Sequence, residues 1–399
     1  MNMAQRISPY KRSLELEWTP NPITGSGAIF LWGARQTGKT TYLRARFPDA
    51  RYYDLLDTNL SAELSVQPGI LRQEVLAAKP SLVIIDEVQH IPLLLEEVHW
   101  LLENTGTRFI LCGSSARKLR KHSRNLLGGR AVDYQMFPLT SNEIGQVDLA
   151  RLLQNGALPV HYLVDEPAPL LKAYVNNYLK TEIIDESASR NVPAFSRFLA
   201  TAGLCNGEQI NFANFARETG VSANTVRNYF QILEDTLLGF TLEPWRKRVK
   251  RRLVETAKFY FFDVGIANQL HPESRLIAEG SNRFGVAFEH FLINEVRAFL
   301  SYRGLDVPLS YWRTSSGFEV DLIVGNMLVA IESKSSRTVR INDLKGLRAL
   351  ADEHPGRRRL LVSRVETART TEDGIEIVPW RKFCEELWAG RVVAADPWL

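Results

Sequence analysis

The sequence predicts an α/β protein built around a parallel β-sheet that carries a phosphate-binding loop. An apolar, strand-like run at residues 28–32 leads into Gly-x-x-x-x-Gly-Lys-Thr at 33–40, and a helix-like stretch follows. A second apolar run, residues 82–85, ends on the carboxylates Asp86 and Glu87. An uninterrupted apolar run of this length is typical of a strand that is buried on both faces of a parallel sheet.

The loop has the residue types that phosphate binding requires. Glycines leave room for several backbone N–H groups to converge on a phosphate, and the following helix adds its free N-terminal amides and dipole. Lys39 supplies a mobile positive charge for the outer phosphates, and the Thr40 hydroxyl can ligate Mg²⁺. The predicted ATP-binding residues are Gly33, Ala34, Arg35, Gln36, Thr37, Gly38, Lys39, Thr40 and Thr41.

The two carboxylates are predicted to complete the nucleotide site. Ligands bind at the carboxyl ends of parallel strands, so Asp86 is expected beside Thr40, where both hold Mg²⁺. Glu87 is expected to orient and deprotonate the attacking water. Ser114 follows another strand-like run, residues 109–113, and a small hydroxyl there also suits a helix cap.

Composition limits the class of protein. A chain of 399 residues is too long for one ordinary core, so two or three domains are expected. The formal charge of +4 is mild, so a nucleic-acid footprint must come from local clusters. Cys112, Cys205 and Cys384 lie far apart and lack metal-ligand spacing, which favours a reducing compartment. No signal-peptide pattern or apolar run of membrane-spanning length is present, so a cytoplasmic protein without a membrane partner is expected.

A family resemblance adds to these inferences. Residues 27–140 resemble the prokaryotic AAA-type ATPases that carry a C-terminal domain of unknown function, number 4143, and the similarity extends over nearly the whole chain. The matching pieces are the phosphate loop and residues 85–87, 113–116, 127–130 and 137–139. The resemblance implies a central phosphate-loop strand, a small helical lid and assembly into a homo-oligomer, a ring or a dimer, through the ATP sites. In related ATPases a polar residue at the position of Ser114 senses the terminal phosphate, although the wider AAA group commonly has asparagine there.

A basic stretch follows Ser114 and ends at Arg130. One of its arginines, with Arg130 favoured, is predicted to reach the nucleotide of a neighbouring subunit as an arginine finger. The alternative is a solvated basic helix. The predicted catalytic residues are therefore Lys39, Glu87, Ser114 and Arg130.

Four segments are predicted. They are an ATPase core at 1–140, a helical lid or connector at 141–205, a winged helix-turn-helix at 206–275 and a restriction-endonuclease-like α/β domain at 276–399. The third segment has a helix, a turn at Gly220 and a capped second helix. Its predicted DNA-binding residues are Asn224, Thr225, Arg227 and Asn228, together with a basic hairpin tip of Arg246, Lys247, Arg248, Lys250, Arg251 and Arg252. The alternative is a packing module with a solvated basic run.

The fourth segment has the pattern of a nuclease core. Asp321 precedes Glu332 and Lys334, which lie two apart on a strand-like run and so share a face. Carboxylates suit Mg²⁺, and a lysine can activate water for phosphodiester attack. The pattern resembles the D…E-x-K positions of restriction-endonuclease-like nucleases, with Glu289 as the upstream helical acid. The alternative is an inherited fold in which these residues form an ion-pair cluster.

The sequence therefore predicts an ATPase that binds ATP or ADP together with Mg²⁺ and couples ATP hydrolysis to binding or remodelling DNA, with branched or broken DNA as candidate substrates. Two other functions are compatible with the same residues. One is an ATP-regulated nuclease, and the other is a nucleotide-gated protein-interaction switch that binds no nucleic acid.

Overall fold

The computed structural model describes residues 10–114, 127, 130–179, 191–246, 257–273 and 276–393. The chain forms two compact units. The first comprises Met1–Leu139 with Asp235–Leu238, and the second comprises Thr140–Glu234 with Gly239–Leu399. Over the described ranges, no helix combines the length and the apolar character needed to cross a membrane.

The first unit contains a five-stranded sheet in which every neighbouring pair of strands is parallel. The strand order is β2-β3-β4-β1-β5. The phosphate-loop strand β1 is thus flanked on both sides, and β4 separates it from β3. The strands are β1 (Gly27–Trp32), β2 (Arg51–Asp54), β3 (Leu82–Asp86), β4 (Arg108–Gly113) and β5 (Ala131–Gln135).

Within the described residues, four α-helices and a 3₁₀ turn connect these strands. The helices are α1 (Lys39–Arg46), α2 (Thr58–Val66), α3 (Gly69–Ala78) and α4 (Leu94–Asn104), and the 3₁₀ turn is Val88–His90. Helix α4 buries a leucine-rich face against the strands, because its apolar residues recur at helical spacing. Strand β3 is buried at all five positions, as its apolar sequence predicts.

The second unit is mixed α/β. Its helices are α5 (Ser141–Ile144), α6 (Leu149–Asn155), α7 (Pro159–Leu163), α8 (Ala168–Ala173), α9 (Val192–Leu204), α10 (Phe212–Thr219), α11 (Ala223–Asp235), α12 (Val264–Leu270), α13 (Asn282–Tyr302), α14 (Lys345–Glu353) and α15 (Trp380–Trp388), with a π-helical segment at Tyr174–Leu179 and a 3₁₀ turn at Ile341–Leu344. Helices α9, α10 and α11 share an aromatic core in which the ring of Phe198 lies 4.9–5.9 Å from those of Phe215, Tyr229 and Phe230.

An eight-stranded sheet runs through the second unit in the order β12-β13-β11-β10-β9-β8-β6-β7. Strand β6 pairs parallel with β8 and antiparallel with β7, so the two strands of the predicted wing lie in the same sheet as Asp321 and Glu332. The strands are β6 (Gly239–Pro244), β7 (Lys258–Phe261), β8 (Leu309–Arg313), β9 (Glu319–Val324), β10 (Val329–Lys334), β11 (Arg358–Ser363), β12 (Arg369–Thr370) and β13 (Glu376–Pro379).

Asp263 links α12 to the turn that follows α6 through hydrogen bonds. Its carboxylate caps α12 by accepting hydrogen bonds from the amides of Gly265 (2.9 Å) and Ile266 (3.2 Å), and it also accepts one from Ala157 (2.7 Å). Burial raises the pKa of Asp263 to about 6. The two helices approach closely at Gly265, where an added Cβ would lie 2.1 Å from the carbonyl oxygen of Asn155.

We expect Gly265→Ala to destabilise the protein by about 1–3 kcal/mol, because the methyl group would overlap backbone that cannot move aside easily. The measurement is the midpoint of thermal or urea unfolding. Gly285→Ala on α13 is the matched control, since its Cβ would meet only Ser335 Oγ at 3.7 Å. The control is expected to be neutral or stabilising by up to about 1 kcal/mol through helix propensity. Equal destabilisation by both variants would contradict the close approach of α6 and α12.

Candidate nucleotide site and C-terminal carboxylate cluster

The loop between β1 and α1 needs its glycines for two physical reasons. A Cβ at Gly33 would lie 2.7 Å from the carbonyl oxygen of Met136, so only hydrogen fits there. Gly38 has φ 94°, in the left-handed region that favours glycine. Gln36 is also left-handed, at φ 65°, although it carries a side chain. The Thr37 hydroxyl donates to the carbonyl of Ala34 at 2.8 Å and closes the turn.

Lys39 lies folded against this loop. Its ammonium group donates hydrogen bonds to the carbonyl oxygens of Gly33 (2.7 Å) and Ala34 (3.2 Å), and the residue is 6% exposed. The positive charge predicted to meet the outer phosphates is therefore held at the loop itself. Of the other predicted loop residues, Arg35 is half-buried and Thr41 is exposed at the start of α1.

Thr40 and Asp86 come together at the carboxyl edge of the parallel sheet. The Thr40 hydroxyl donates to Asp86 Oδ2 at 2.7 Å, and the Tyr52 hydroxyl donates to the same oxygen. Burial and the charge of Asp86 raise the pKa of the Tyr52 hydroxyl. A hydroxyl and a buried carboxylate are the oxygen donors that Mg²⁺ prefers, so these residues fit that ion. Tyr52 was missed in the sequence, because it belongs to a different strand and has no motif spacing to the loop.

Glu87 is held by two polar neighbours. It has φ 57°, a left-handed conformation that ends strand β3 at Asp86. Its Oε2 atom accepts hydrogen bonds from the amide of Gln89 and from the hydroxyl of Ser114, the latter at 3.2 Å. Gln89 also donates to Ser114 at 3.1 Å. Ser114 thus lies beside the predicted catalytic base, and Gln89 is a further residue that the sequence did not point to.

Arg130 immediately precedes β5 and forms an ion pair with Glu103. The distance from Nη2 to Oε1 is 2.6 Å, and both side chains are more than a third exposed. Exposed pairs of this kind contribute little to stability, typically about 0–1 kcal/mol. The role of Arg130 as an arginine finger stays a prediction. Ser115 and the basic residues between 117 and 124 lie outside the described residues.

Arg12 ties the N-terminal segment to the phosphate loop. Its guanidinium donates to the carbonyl oxygen of Thr37 at 2.7 Å and to that of Phe137 at 2.6 Å. The same segment is bound to α1, because the Tyr42 hydroxyl donates to the carbonyl of Leu14 at 2.9 Å. No fixed sequence spacing links Arg12 to the loop, so the sequence did not indicate that Arg12 contacts it. Arg12 is therefore a candidate positioning residue for the loop.

We expect Arg12→Ala to weaken nucleotide affinity about tenfold or more, because losing a charge-assisted hydrogen bond to the loop is worth about 1.5–3 kcal/mol. Titration with a fluorescent ATP analogue measures the effect. Lys11→Ala is the matched control, since Lys11 is the exposed neighbour with the same charge. Unchanged affinity in Arg12→Ala, with Lys11→Ala also unchanged, would remove Arg12 from loop positioning.

A second cluster of charged side chains lies in the eight-stranded sheet. Lys258 on β7 is 4% exposed, and its ammonium nitrogen lies 3.2 Å from Glu289 on α13 and 2.6 Å from Glu319 on β9. The hydroxyl of Tyr260 donates to Glu289 at 2.5 Å. Sequence reasoning identified Glu289 but missed Lys258, Tyr260 and Glu319, because no motif links β7 to the pattern on β9 and β10.

The other three predicted nuclease-like residues are also paired. Asp321 Oδ2 accepts hydrogen bonds from the amide (2.7 Å) and hydroxyl (2.6 Å) of Ser333. Lys334 donates to Glu332 Oε1 at 2.6 Å. In the antiparallel pairing of β9 and β10, Ile331 lies opposite Leu322, and Glu332 and Asp321 are the residues next to this pair. Asp321, Glu332 and Lys334 therefore lie on the paired strands β9 and β10, while Glu289 lies on helix α13.

Burial and like charges shift the pKa values in this cluster. Burial and the charge of Asp321 raise the pKa of Glu289 to about 7 and that of Glu332 well above its usual range. Burial alone would lower the pKa of Lys258, but the neighbouring carboxylates, Glu289 first, raise it overall. Within the described ranges, no group of three or more His, Cys, Asp or Glu side chains is arranged to hold a metal ion. The C-terminal carboxylates, as they are paired, do not fit a metal site.

The residues predicted to contact DNA are partly described. Asn224, Arg227 and Asn228 are exposed in the first two turns of α11, and Thr225 is half-buried. The Arg227 guanidinium lies over the ring of Phe212, 4.6 Å from its centroid. Arg246 is half-buried at the end of the described part of this stretch. The other residues of the basic run, Lys247, Arg248, Lys250, Arg251 and Arg252, lie outside the described residues.

Comparison with known families finds three matches along the chain. The AAA domain family matches residues 25–145, a domain of unknown function (DUF8612) matches residues 147–276, and a domain of unknown function (DUF4143) matches residues 284–383. The predicted resemblance, an AAA domain followed by a C-terminal domain number 4143, is confirmed.

Similar curated proteins come from distant prokaryotes. An uncharacterized protein of Mycobacterium tuberculosis is 27% identical over 304 residues, which cover 74% of this chain and 67% of that protein. One from Haemophilus influenzae is 22% identical over 316 residues, which cover 74% of this chain and 75% of that protein. Among solved structures, the Aeropyrum pernix ORC1 protein in complex with DNA aligns with a TM-score of 0.26 and 12% identity over 62% of this chain and 86% of that chain.

Proposed function

Because the chain combines an AAA domain with a C-terminal DUF4143 domain, we propose that it is an ATPase that binds ATP with Mg²⁺ at residues 33–41 and hydrolyses it. The observation that carries this proposal is the 2.7 Å hydrogen bond between Thr40 on α1 and Asp86 at the end of β3. It joins the phosphate loop to a buried carboxylate at the edge of the sheet where ligands bind in parallel α/β folds. Lys39 inside the same loop adds the charge that a polyphosphate requires.

Each residue of the site has a distinct task under this proposal. The loop amides and Lys39 bind the phosphates, while Thr40 and Asp86 would hold Mg²⁺, which neutralises phosphate charge when bound. Glu87 orients the attacking water and accepts its proton. Gln89 and Ser114 fix the position of the Glu87 carboxylate through the hydrogen bonds described above. Arg12 holds the loop in shape through the Thr37 carbonyl.

We expect Lys39→Ala to abolish nucleotide binding and Glu87→Gln to keep ATP binding but stop turnover. The amide of Gln keeps the size of Glu but cannot accept the proton of water. Equilibrium binding of an ATP analogue and phosphate release are the two measurements. Lys172→Ala is the control, since Lys172 is an exposed lysine on α8. Normal phosphate release by Glu87→Gln would exclude Glu87 as the catalytic base.

We further propose that the second unit contacts DNA through α10 and α11, in the manner of a winged helix-turn-helix. Support comes from the local geometry. Helix α10 ends at Gly220, which has φ 71°, and Ser222 caps the next helix by accepting a hydrogen bond from the amide of Thr225 at 3.1 Å. Three polar side chains are exposed on the first two turns of α11, where recognition helices contact nucleic acid. The basic sequence after Arg246 adds positive charge for phosphate contacts.

Neutralising the basic run Arg246, Lys247, Arg248, Lys250, Arg251 and Arg252 is expected to weaken DNA binding and to flatten its salt dependence. Removing one phosphate contact should lower the log–log salt slope by about one unit. Titration of labelled duplex, forked and four-way DNA at several salt concentrations measures both quantities. Arg369→Ala is the control, because this exposed arginine lies on β12, outside the proposed DNA-binding elements. An unchanged affinity and slope would exclude the basic run as a DNA-binding element.

The alternatives predict other outcomes of the same titrations. A nucleotide-gated protein-interaction switch predicts no salt-sensitive DNA binding at all, whereas an ATP-regulated nuclease predicts metal-dependent nicking of the bound DNA. The assembly of a ring or dimer with Arg130 acting in trans stays a prediction, and so does the division at residues 140, 205 and 275. If Arg130 acts in trans, its ion pair with Glu103 has to open.

A further inference from the structure

The surroundings of Lys258 are rich in carboxylates, and the lysine places a buried ammonium group among them. Its nitrogen lies 3.2 Å from Glu289 and 2.6 Å from Glu319, and the Asp321 charge also acts on it. These three carboxylates come from α13 and β9, and the lysine reaches them from β7. The Lys258 side chain is 5% exposed, so water can screen the interaction only weakly.

We propose that the Lys258 ammonium takes the place of a divalent cation among Glu289, Glu319 and Asp321, so that this cluster is a permanent internal ion-pair site that binds no metal. The proposal is independent of the ATPase function. Under this proposal the residues match the nuclease pattern but do not carry out nuclease chemistry. Carboxylates that neutralise a fixed ammonium group are not available to ligate Mg²⁺ or Mn²⁺.

Hydrogen bonding among the remaining groups supports this assignment. Asp321 Oδ2 already accepts two hydrogen bonds from Ser333, and Glu332 Oε1 is paired with Lys334. Glu332 Oε2 is buried and has no hydrogen-bond partner among the described residues, which favours the uncharged acid at that position. Burial and Asp321 raise the Glu332 pKa in the same direction. The guanidinium of Arg313 lies 2.9 Å from Glu319 and further neutralises that carboxylate.

The decisive experiment compares the wild-type chain with its Asp321→Asn variant, both without nucleotide. The unfolding temperature of each protein is measured at increasing Mn²⁺ concentrations. Any metal bound near Thr40 and Asp86 affects both proteins equally, so their difference reports on the C-terminal cluster alone. The proposal predicts the same Mn²⁺-dependent shift in both. A larger shift in the wild type than in Asp321→Asn would overturn it, because only a metal ligated in this cluster depends on Asp321.

A second experiment removes the internal cation. Lys258→Met leaves the buried carboxylate cluster without its ammonium group, so we expect a large fall in unfolding temperature that Mn²⁺ partly reverses, increasingly with concentration. The double variant Lys258→Met/Asp321→Asn should lose that reversal, and Lys345→Met, at an exposed lysine of the same unit, should behave as wild type. A folded Lys258→Met protein that gains no Mn²⁺ response would overturn the proposal. If Lys258→Met does not fold, the wild-type comparison with Asp321→Asn still decides it.

Discussion

In the first unit, the candidate nucleotide site depends on the contact between Thr40 and Asp86. Parallel pairing throughout the first sheet puts the carboxyl ends of β1 and β3 at one edge, although β4 lies between them. The helix that starts at Lys39 thereby presents its first hydroxyl to a carboxylate that would otherwise be buried with fewer partners, since Asp86 is only 3% exposed. The sheet order, the helix start and the carboxylate are therefore mutually dependent, and a change in any one of them would remove the site.

Local sequence patterns predicted most of the secondary structure but not how distant strands pair. The pattern predicts a strand at Glu319–Val324, and β9 has these bounds. It predicts another at Leu82–Glu87, and β3 is one residue shorter because Glu87 adopts a positive φ. The predicted helix Phe284–Leu300 is two residues longer at each end in α13, and Ser281 caps its first turn. The pairing of β6 with β8, with Glu243 opposite Ser310, joins segments far apart in sequence. No periodicity encodes that pairing, so the sequence did not predict that the wing strands enter the C-terminal sheet.

The candidate sites show the same limit: local sequence patterns predict residues within one segment but not their partners from distant segments. The phosphate loop was predictable because one short segment supplies the glycines, the lysine and the threonine at fixed spacing. The groups that hold those residues in place come from elsewhere in the chain: Arg12 from the N-terminal segment, Tyr52 from β2 and Gln89 from the 3₁₀ turn. Lys258 likewise comes from a segment far from Asp321, Glu332 and Lys334, and no fixed spacing links it to that pattern. A hydrogen-bond partner from a distant segment has no required spacing, so its position follows from the tertiary structure alone.

The two carboxylate sites differ in the charge of their partners, and this difference bears on what each can bind. Asp86 accepts hydrogen bonds from the neutral hydroxyls of Thr40 and Tyr52, so a cation can approach without leaving a buried protein charge unpaired. Glu289 and Glu319 instead pair with an ammonium group. A metal entering there has to displace Lys258 into surroundings that are almost entirely buried, and an uncompensated buried charge costs about 3–5 kcal/mol. Neutral partners thus favour reversible metal binding in the first unit, and the charged partner favours a permanent structural role in the second.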